Sequence, residues 1–415
     1  MSSIDEIGRR AKAAAAQLAQ TEGKSRRSAL RAMAGALEGS SEVLLATNAQ
    51  DVAAADRSVM TEALIDRLTL TPGRLRSMSQ GLRDIAEQPD PVGSVVESWT
   101  RPNGLEIRKV RRPIGVVAVI YEARPNVTAD VAGLCLMSGN AVVLRGSSHA
   151  LRTNICSTGI LRRAAAEAGL AEDCIQLVED TSREGALELM QARAYIDLLI
   201  PRGGKALIES IERNATVPTI IDADGNCHVY VDAAADPQKA IDIVINAKTS
   251  RPGVCNAAET LLVHRDLASS WLPGMLDALA AKGVEIRGDE TVTGVWPSAG
   301  PATEQDWGTE YLDLIMAVRV VDSLQEAIAH INRWGTSNAE AIVTGDPKAA
   351  EMFTRQVDSG TVFVNASTRF SDGGQFGFGA EIGISTQKLH ARGPLGVKEL
   401  TTCGYVVWGN GQTRT

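Results

Sequence analysis

At 415 residues, with 44% hydrophobic side chains and 38 glycines, the chain is long enough for two α/β domains. A formal net charge of -8 argues against nucleic acid as a partner, while single arginines can still suit a small anionic substrate. The six cysteines form no CxxC pair and no His/Cys cluster at zinc spacing, so no metal is expected and a reducing cytoplasm is.

Residues 1–20 mix Asp5, Glu6, Arg9, Arg10 and Lys12 with alanines, which predicts a helix and not a signal peptide; no later apolar run is long enough for a bilayer. Helical spacing continues to about residue 90, in Leu30, Met33 and Leu37 for example. Three or four helices are predicted, with breaks near Thr21–Lys24, Gly39–Ser41 and Thr71–Gly73. Trp99–Val110 reads as a hairpin turning on Asn103-Gly104 as a two-residue loop. A lone hairpin is marginal, so it needs a further pairing partner, such as a second subunit.

Gly115–Tyr121 is a continuous apolar run of strand length, the mark of a strand covered on both faces. Glu122–Thr128 reads as a polar loop, with Thr128 capping a helix that Gly139 closes. Strands at 141–144, 174–178 and 196–200 follow, each succeeded by a helix. Four strand–helix alternations predict a doubly wound, largely parallel sheet, whose ligands bind at the carboxyl ends of the strands. Those ends carry Arg124, then Arg145 with Ser147 and Ser148, then Gly203-Gly204. The glycine pair at a helix start suits a phosphate, and an arginine with hydroxyls and no carboxylate suits a 2′-phosphate, hence NADP(H). No GxGxxG fingerprint occurs.

Strands are predicted at 217–221 and 228–231, and residues 260–370 repeat the alternation as a second α/β domain beginning near 225–235. A glycine-rich loop spans 365–379, and Tyr405–Trp408 reads as an edge strand. Cys255 lies between a helix ending near Lys248 and a strand at 260–263, in a turn made by Pro252 and Gly253. Lys248 and Arg251 nearby favour a thiolate. The competing reading is a small buried hydrophobe.

Long phrases then become recognisable: Tyr121-Glu-Ala-Arg-Pro-Asn-Val-Thr128, Arg251-Pro-Gly-Val-Cys-Asn-Ala257 and Lys388-Leu-His-Ala-Arg-Gly-Pro394. From about residue 4 to 408 the chain resembles the γ-glutamyl phosphate reductase family, in the aldehyde dehydrogenase superfamily. The resemblance implies two doubly wound α/β domains plus a small β oligomerisation flap. These would be an NADP-binding domain (1–98 and 111–227), a catalytic domain (228–394) and the flap (99–110 and 395–415). It implies Cys255 as nucleophile, Asn126 as oxyanion amide, Arg145 at the cofactor ribose and Glu310 at the nicotinamide ribose. Hydrolytic relatives carry a glutamate base near Ile221–Asp224; no glutamate stands there in this chain, and Asp222 is shorter.

The implied reaction is NADPH-dependent reduction of L-glutamyl 5-phosphate to the 5-semialdehyde in proline biosynthesis. Arg124, Arg251 and Arg369 are candidates for the substrate's anionic groups, with Lys248 a weaker one. A homo-oligomer and a transient contact with glutamate 5-kinase are the implied partners. A thiol hydrolase would leave the arginine-bearing strand ends unexplained; a non-catalytic scaffold would show an ordinary Cys255.

Overall fold

The computed structural model describes residues 3–58, 60–222 and 224–414. The chain divides into two compact units. One comprises Met1–Ile221, Gly377–Gly383 and Leu395–Thr415; the other comprises Asp222–Phe376 and Ile384–Pro394.

The first unit begins with five helices: Ile4–Leu18, Gly23–Gly39, Ser41–Ala53, Glu62–Leu68 and Pro72–Ala86. The short fourth helix exceeds the three or four predicted. It is started by Thr61, whose hydroxyl accepts the Leu64 N–H; Thr71 does the same for the fifth, with Pro72 at its first position. Leu30, Met33 and Leu37 are fully buried, as their spacing predicts.

The parallel sheet of this unit runs Ile175–Leu177, Ala141–Arg145, Val116–Tyr121, Leu198–Arg202. The strand Val116–Tyr121 is buried throughout, which explains its unbroken apolar run. Two expectations fail here. Residues 217–221 form no strand, only a bridge from Thr219 to Leu199, because Pro218 removes a ladder donor. The helix after Tyr121 spans Pro125–Met137, so Thr128 lies inside it and caps nothing. Proline lacks an N–H and suits a helix's first position, which moves the start four residues earlier. The Thr128 hydroxyl instead lies 2.8 Å from the Tyr121 hydroxyl in the core.

Strands Val95–Thr100, Glu106–Pro113 and Thr401–Trp408 form a separate antiparallel sheet, with Glu106–Pro113 in the middle. The hairpin does not turn on two residues. Thr100 pairs with Glu106, the Gly104 N–H donates to Arg101 O, and Gly104 has φ +86°. A two-residue loop would ask residue 102 to donate across the ladder, and Pro102 cannot. The result is a turn followed by a left-handed glycine. Tyr405 and Trp408 on the edge strand are about 60% exposed.

The second unit is built on a seven-stranded sheet whose neighbouring strands all pair in parallel. Its order is Gly300–Pro301, Glu285–Gly288, Ile315–Val321, Ala258–His264, Cys227–Val231, Ala339–Val343, Thr361–Val364. Side chains alternate between its faces with period two. Val229 and Val231 pack with helices Pro237–Thr249 and Leu272–Ala280 on one face. Tyr230 packs on the other with Leu324–Trp334 and Pro347–Gln356, stacking on Phe353 at 6.4 Å. Each such fully buried side chain contributes roughly 1.5–3 kcal/mol.

Candidate active site

Cys255 sits where the second unit's chain changes from helix to strand. Helix Pro237–Thr249 ends at Ser250, Pro252 prevents its continuation, and strand Ala258–His264 begins three residues after the cysteine. The Ala257 N–H donates to Val254 O at 3.0 Å, closing a turn around a half-buried Cys255.

The backbone of this turn is held from two directions. Strand Cys227–Val231 lies beside Ala258–His264, with Cys227 opposite Ala258. Burial, with Glu340 nearby, pushes the Cys227 thiol well above its ordinary range, so it stays an S–H, and it donates to Cys255 O at 3.1 Å. Gly225 approaches so closely that a Cβ on it would fall 1.8 Å from Cys255 O. On the other side Asn256 is buried; its side-chain amide N–H donates to Ser371 O at 2.9 Å and its backbone carbonyl accepts the Thr368 hydroxyl at 2.7 Å. Asn256 thus ties the turn to the glycine-rich loop and offers its amide to that loop.

The same loop delivers Arg369, half-buried, whose Nε donates to Ser250 Oγ at 3.0 Å. Burial, and then the charge of Arg251, lower its pKa; Asp372 and the sulfurs of Cys255 and Cys227 act the other way. Two guanidiniums and the Cys255 sulfur therefore share one electrostatic neighbourhood, in which anionic groups are favoured. Lys248 is used differently from expectation. It is fully buried, and its Nζ lies 2.5 Å from the equally buried Glu259 carboxylate. It ends a helix whose inner face points at the strand carrying Glu259, so a cation read as substrate-facing is consumed inside the protein.

Glu310 is half-buried and accepts the Gly225 N–H at 2.8 Å. Burial raises its pKa, and Asp224 and Asp222 add to the rise.

The remaining expected site residues lie on the first unit. Asn126, exposed in the first turn of Pro125–Met137, donates one N–H to Asp130 Oδ2 at 3.1 Å; an amide has two such groups. Asp130 is pushed up to about 6 by burial, against the Asn126 bond and the charge of Arg202. Arg124 is half-buried, immediately before the same helix. Arg145 ends its strand and donates through Nη2 to the carbonyls of Thr181 and Ser182, at 2.8 and 2.6 Å. Among the described residues its buried Nε meets no acceptor. Ser147 Oγ accepts the His149 N–H at 3.3 Å, and Ser148 is exposed. The Gly204 N–H, at the start of helix Lys205–Asn214, donates to the Glu122 carboxylate at 2.6 Å. A Cβ at Gly203 would lie 2.9 Å from that same oxygen.

With this geometry established, comparison with known proteins is decisive. The aldehyde dehydrogenase family model matches residues 1–297 and 308–387. The chain belongs to the aldehyde dehydrogenase family. Within that family, the γ-glutamyl phosphate reductase of Moorella thermoacetica is 56% identical over 411 residues, covering 99% of this chain and 98% of the relative. That of Thermoanaerobacter pseudethanolicus is 52% identical, with 99% of each covered. The crystal structure of the γ-glutamyl phosphate reductase from Thermotoga maritima superposes with a TM-score of 0.97 at 44% identity, covering all of both chains.

Spacing gave no hint of the residues that hold the groups of the candidate site: Gly225, Cys227, Glu259, Asp130 and Glu122. Glu122 lies within the phrase around Asn126 and Asp130 just beyond it, yet nothing in a linear pattern aims their carboxylates. Cys227 reaches the Cys255 turn through strand register, and Glu259 meets Lys248 where a helix packs on its strand; a sequence displays neither. His228 and His330 are buried and held near 3 by that burial, so neither supplies a base at neutral pH.

Proposed function

We propose that this chain reduces L-glutamyl 5-phosphate to L-glutamate 5-semialdehyde and phosphate with NADPH, through a cysteinyl thioester, as the second step of proline biosynthesis from glutamate. The observation that carries the reading is the Cys255 turn, a half-buried thiol on a clamped backbone beside Arg251 and Arg369. The relatives' shared name supplies the reaction class.

The Cys255 thiolate attacks the acyl carbon of the mixed anhydride. The carbon–oxygen bond to phosphate breaks, and the leaving group departs as an anion without needing an acid. Arg251 and Arg369 are assigned to anionic groups of the substrate, and Arg124 to the same task from the first unit. The thioester keeps the acyl group between the two half-reactions. A bound NADPH supplies the hydride for the second. The thiohemiacetal oxyanion then reforms a carbonyl, the carbon–sulfur bond breaks, and Cys255 leaves as thiolate. The Cys255 backbone N–H is assigned to the oxyanion, with the Asn126 amide by resemblance; one such donor is typically worth about 3–4 kcal/mol. No water has to be activated, which suits a position where Asp222 stands in place of a glutamate.

The donor set of the first unit fits NADP(H). A carboxylate oxygen already occupies the Gly204 N–H where a phosphate oxygen would bind, and Arg145 with Ser147 and Ser148 offers cation and hydroxyls, with the Asp180 carboxylate near Arg145. Glu122 must yield for that contact to form. Glu310 would hold the nicotinamide ribose. We assign cofactor binding to the first unit and catalysis to the second. The antiparallel sheet, with its exposed Tyr405 and Trp408, is assigned to pairing between subunits. Six free cysteines fit a reducing cytoplasm. The test is phosphate-dependent reduction of NADP by the semialdehyde: Cys255→Ala should abolish it, retained turnover would refute the mechanism, and equal rates with NAD would refute the cofactor assignment.

A further inference from the structure

We propose that Lys248 and Glu259 are a positioning pair that fixes the segment Glu310–Leu312 and so aims the Glu310 carboxylate for cofactor binding. This rests on the reading that Glu310 holds the ribose of the nicotinamide cofactor.

Stability does not explain the pair. Both side chains are fully buried, and taking two charges out of water costs about as much as their attraction returns, so apolar residues would serve a core as well. What apolar residues would lack is a second acceptor. Glu259 Oε2 meets Lys248 Nζ at 2.5 Å, while its Oε1 accepts the Leu312 N–H at 3.1 Å. Leu312 has φ 55°, a strained left-handed conformation for a leucine that persists only where the surroundings impose it. The Glu259 bond imposes it.

The residues before Leu312 are anchored too. The Tyr311 ring has Lys248 Nζ 5.9 Å and the Arg287 guanidinium 5.2 Å from its centroid, and its hydroxyl donates to Asp306 at 2.8 Å. Glu310 then closes on the Gly225 N–H at 2.8 Å, and Gly225 is the residue packed against the Cys255 backbone. One continuous path thus runs from the buried pair to the cysteine turn, with Glu310 along it. Burial and the two neighbouring aspartates raise the Glu310 pKa; the Gly225 bond opposes them, and the Lys248 charge adds only a minor contribution in the same sense. The Leu312 bond needs an acceptor at residue 259.

Two double variants isolate the Leu312 bond. Lys248→Met with Glu259→Gln removes the charges and keeps an acceptor; Lys248→Met with Glu259→Leu removes the acceptor as well. NADPH titration by fluorescence should show the leucine pair binding about tenfold more weakly than the glutamine pair, the size of one buried hydrogen bond. Iodoacetamide should alkylate Cys255 at the same rate in both, since the thiol itself is untouched. Equal NADPH affinity in the two folded doubles would overturn the proposal. Glu310→Ala is measured beside them. If it weakens NADPH while the doubles bind equally, the proposal alone fails; if it binds as tightly as the parent, the reading of Glu310 fails and the proposal with it. Amide exchange in the unaltered, cofactor-free protein needs no variant to fold. A Leu312 N–H protected well beyond its exposed neighbours supports the pair, and one exchanging like an unstructured peptide overturns it.

Discussion

The strand ends of the four-stranded sheet and the turn carrying Cys255 treat their polar groups in opposite ways. At the strand ends the polar groups have protein partners that a ligand could replace. Gly204 donates to the half-exposed Glu122, Arg145 rests on two loop carbonyls, and Asn126 shares an i, i+4 bond with Asp130. At the cysteine turn the partners are buried and fixed: a thiol that stays protonated, a glycine with no room for a Cβ, and an asparagine bonded to a buried threonine and a buried serine of a second loop. Loops that exchange partners suit a cofactor that comes and goes. A backbone that cannot move suits a nucleophile whose attack geometry must not drift.

That contrast can be broken most severely at Gly225. Gly225→Ala forces the Cys255 carbonyl to shift, because the new Cβ would overlap it. Activity should fall by about 100-fold or more, the scale on which an ångström of misplacement acts. A steady-state assay showing near-parental kcat would mean that the turn is not rigid. Arg369→Ala should act next, raising KM for the acyl phosphate by about tenfold or more with a smaller change in kcat, as expected for a charge-assisted hydrogen bond worth roughly 1.5–3 kcal/mol. A change in kcat alone would assign Arg369 to the turn's support and not to the substrate.

A third probe lies beneath the turn. The Glu340 carboxyl, fully buried against His228, is raised well above 4.5 by that burial. A raised carboxyl contributes its full stability below pH 4.5 and loses it as pH climbs toward the folded value, at about 1.4 kcal/mol per pH unit. Glu340→Gln has no such loss. Its melting temperature relative to the parent should therefore rise steadily from pH 5 to pH 7; a constant gap would show that Glu340 is ionised in the fold. The smallest effect belongs to the strand ends. Glu122→Gln removes the anion resting on Gly204, so NADPH should bind a few-fold more tightly, by roughly 0.5–1.5 kcal/mol for one competing bond. Weaker binding would make Glu122 a ligand of the cofactor and not its stand-in.

How much of this was legible in the sequence follows the same division. The first sheet announced itself, because Val116–Tyr121 is buried on both faces and only an unbroken apolar run satisfies that. The Cys255 turn was legible too, since Pro252 and Gly253 act on their own neighbours. Errors arose where a residue's task depends on what lies across from it. Lys248 looked like a cation for the thiol, and only the meeting of helix and strand shows Glu259 taking its charge. Asn103-Gly104 looked like a two-residue turn, and Pro102 lengthened it. Residues 217–221 had a strand's composition, and Pro218 left them one bridge. Gly225 and Cys227 reach Cys255 by register across nearly thirty residues, which no local pattern carries.

The claim on which the rest turns is that the Cys255 sulfur carries the acyl group between the two half-reactions. Intact mass spectrometry of the protein given L-glutamyl 5-phosphate without NADPH tests it directly. The thioester mechanism expects a single glutamyl adduct that maps to Cys255, is absent in Cys255→Ala and disappears when NADPH is added. Acyl donor consumed by active protein with the sulfur never modified would contradict it.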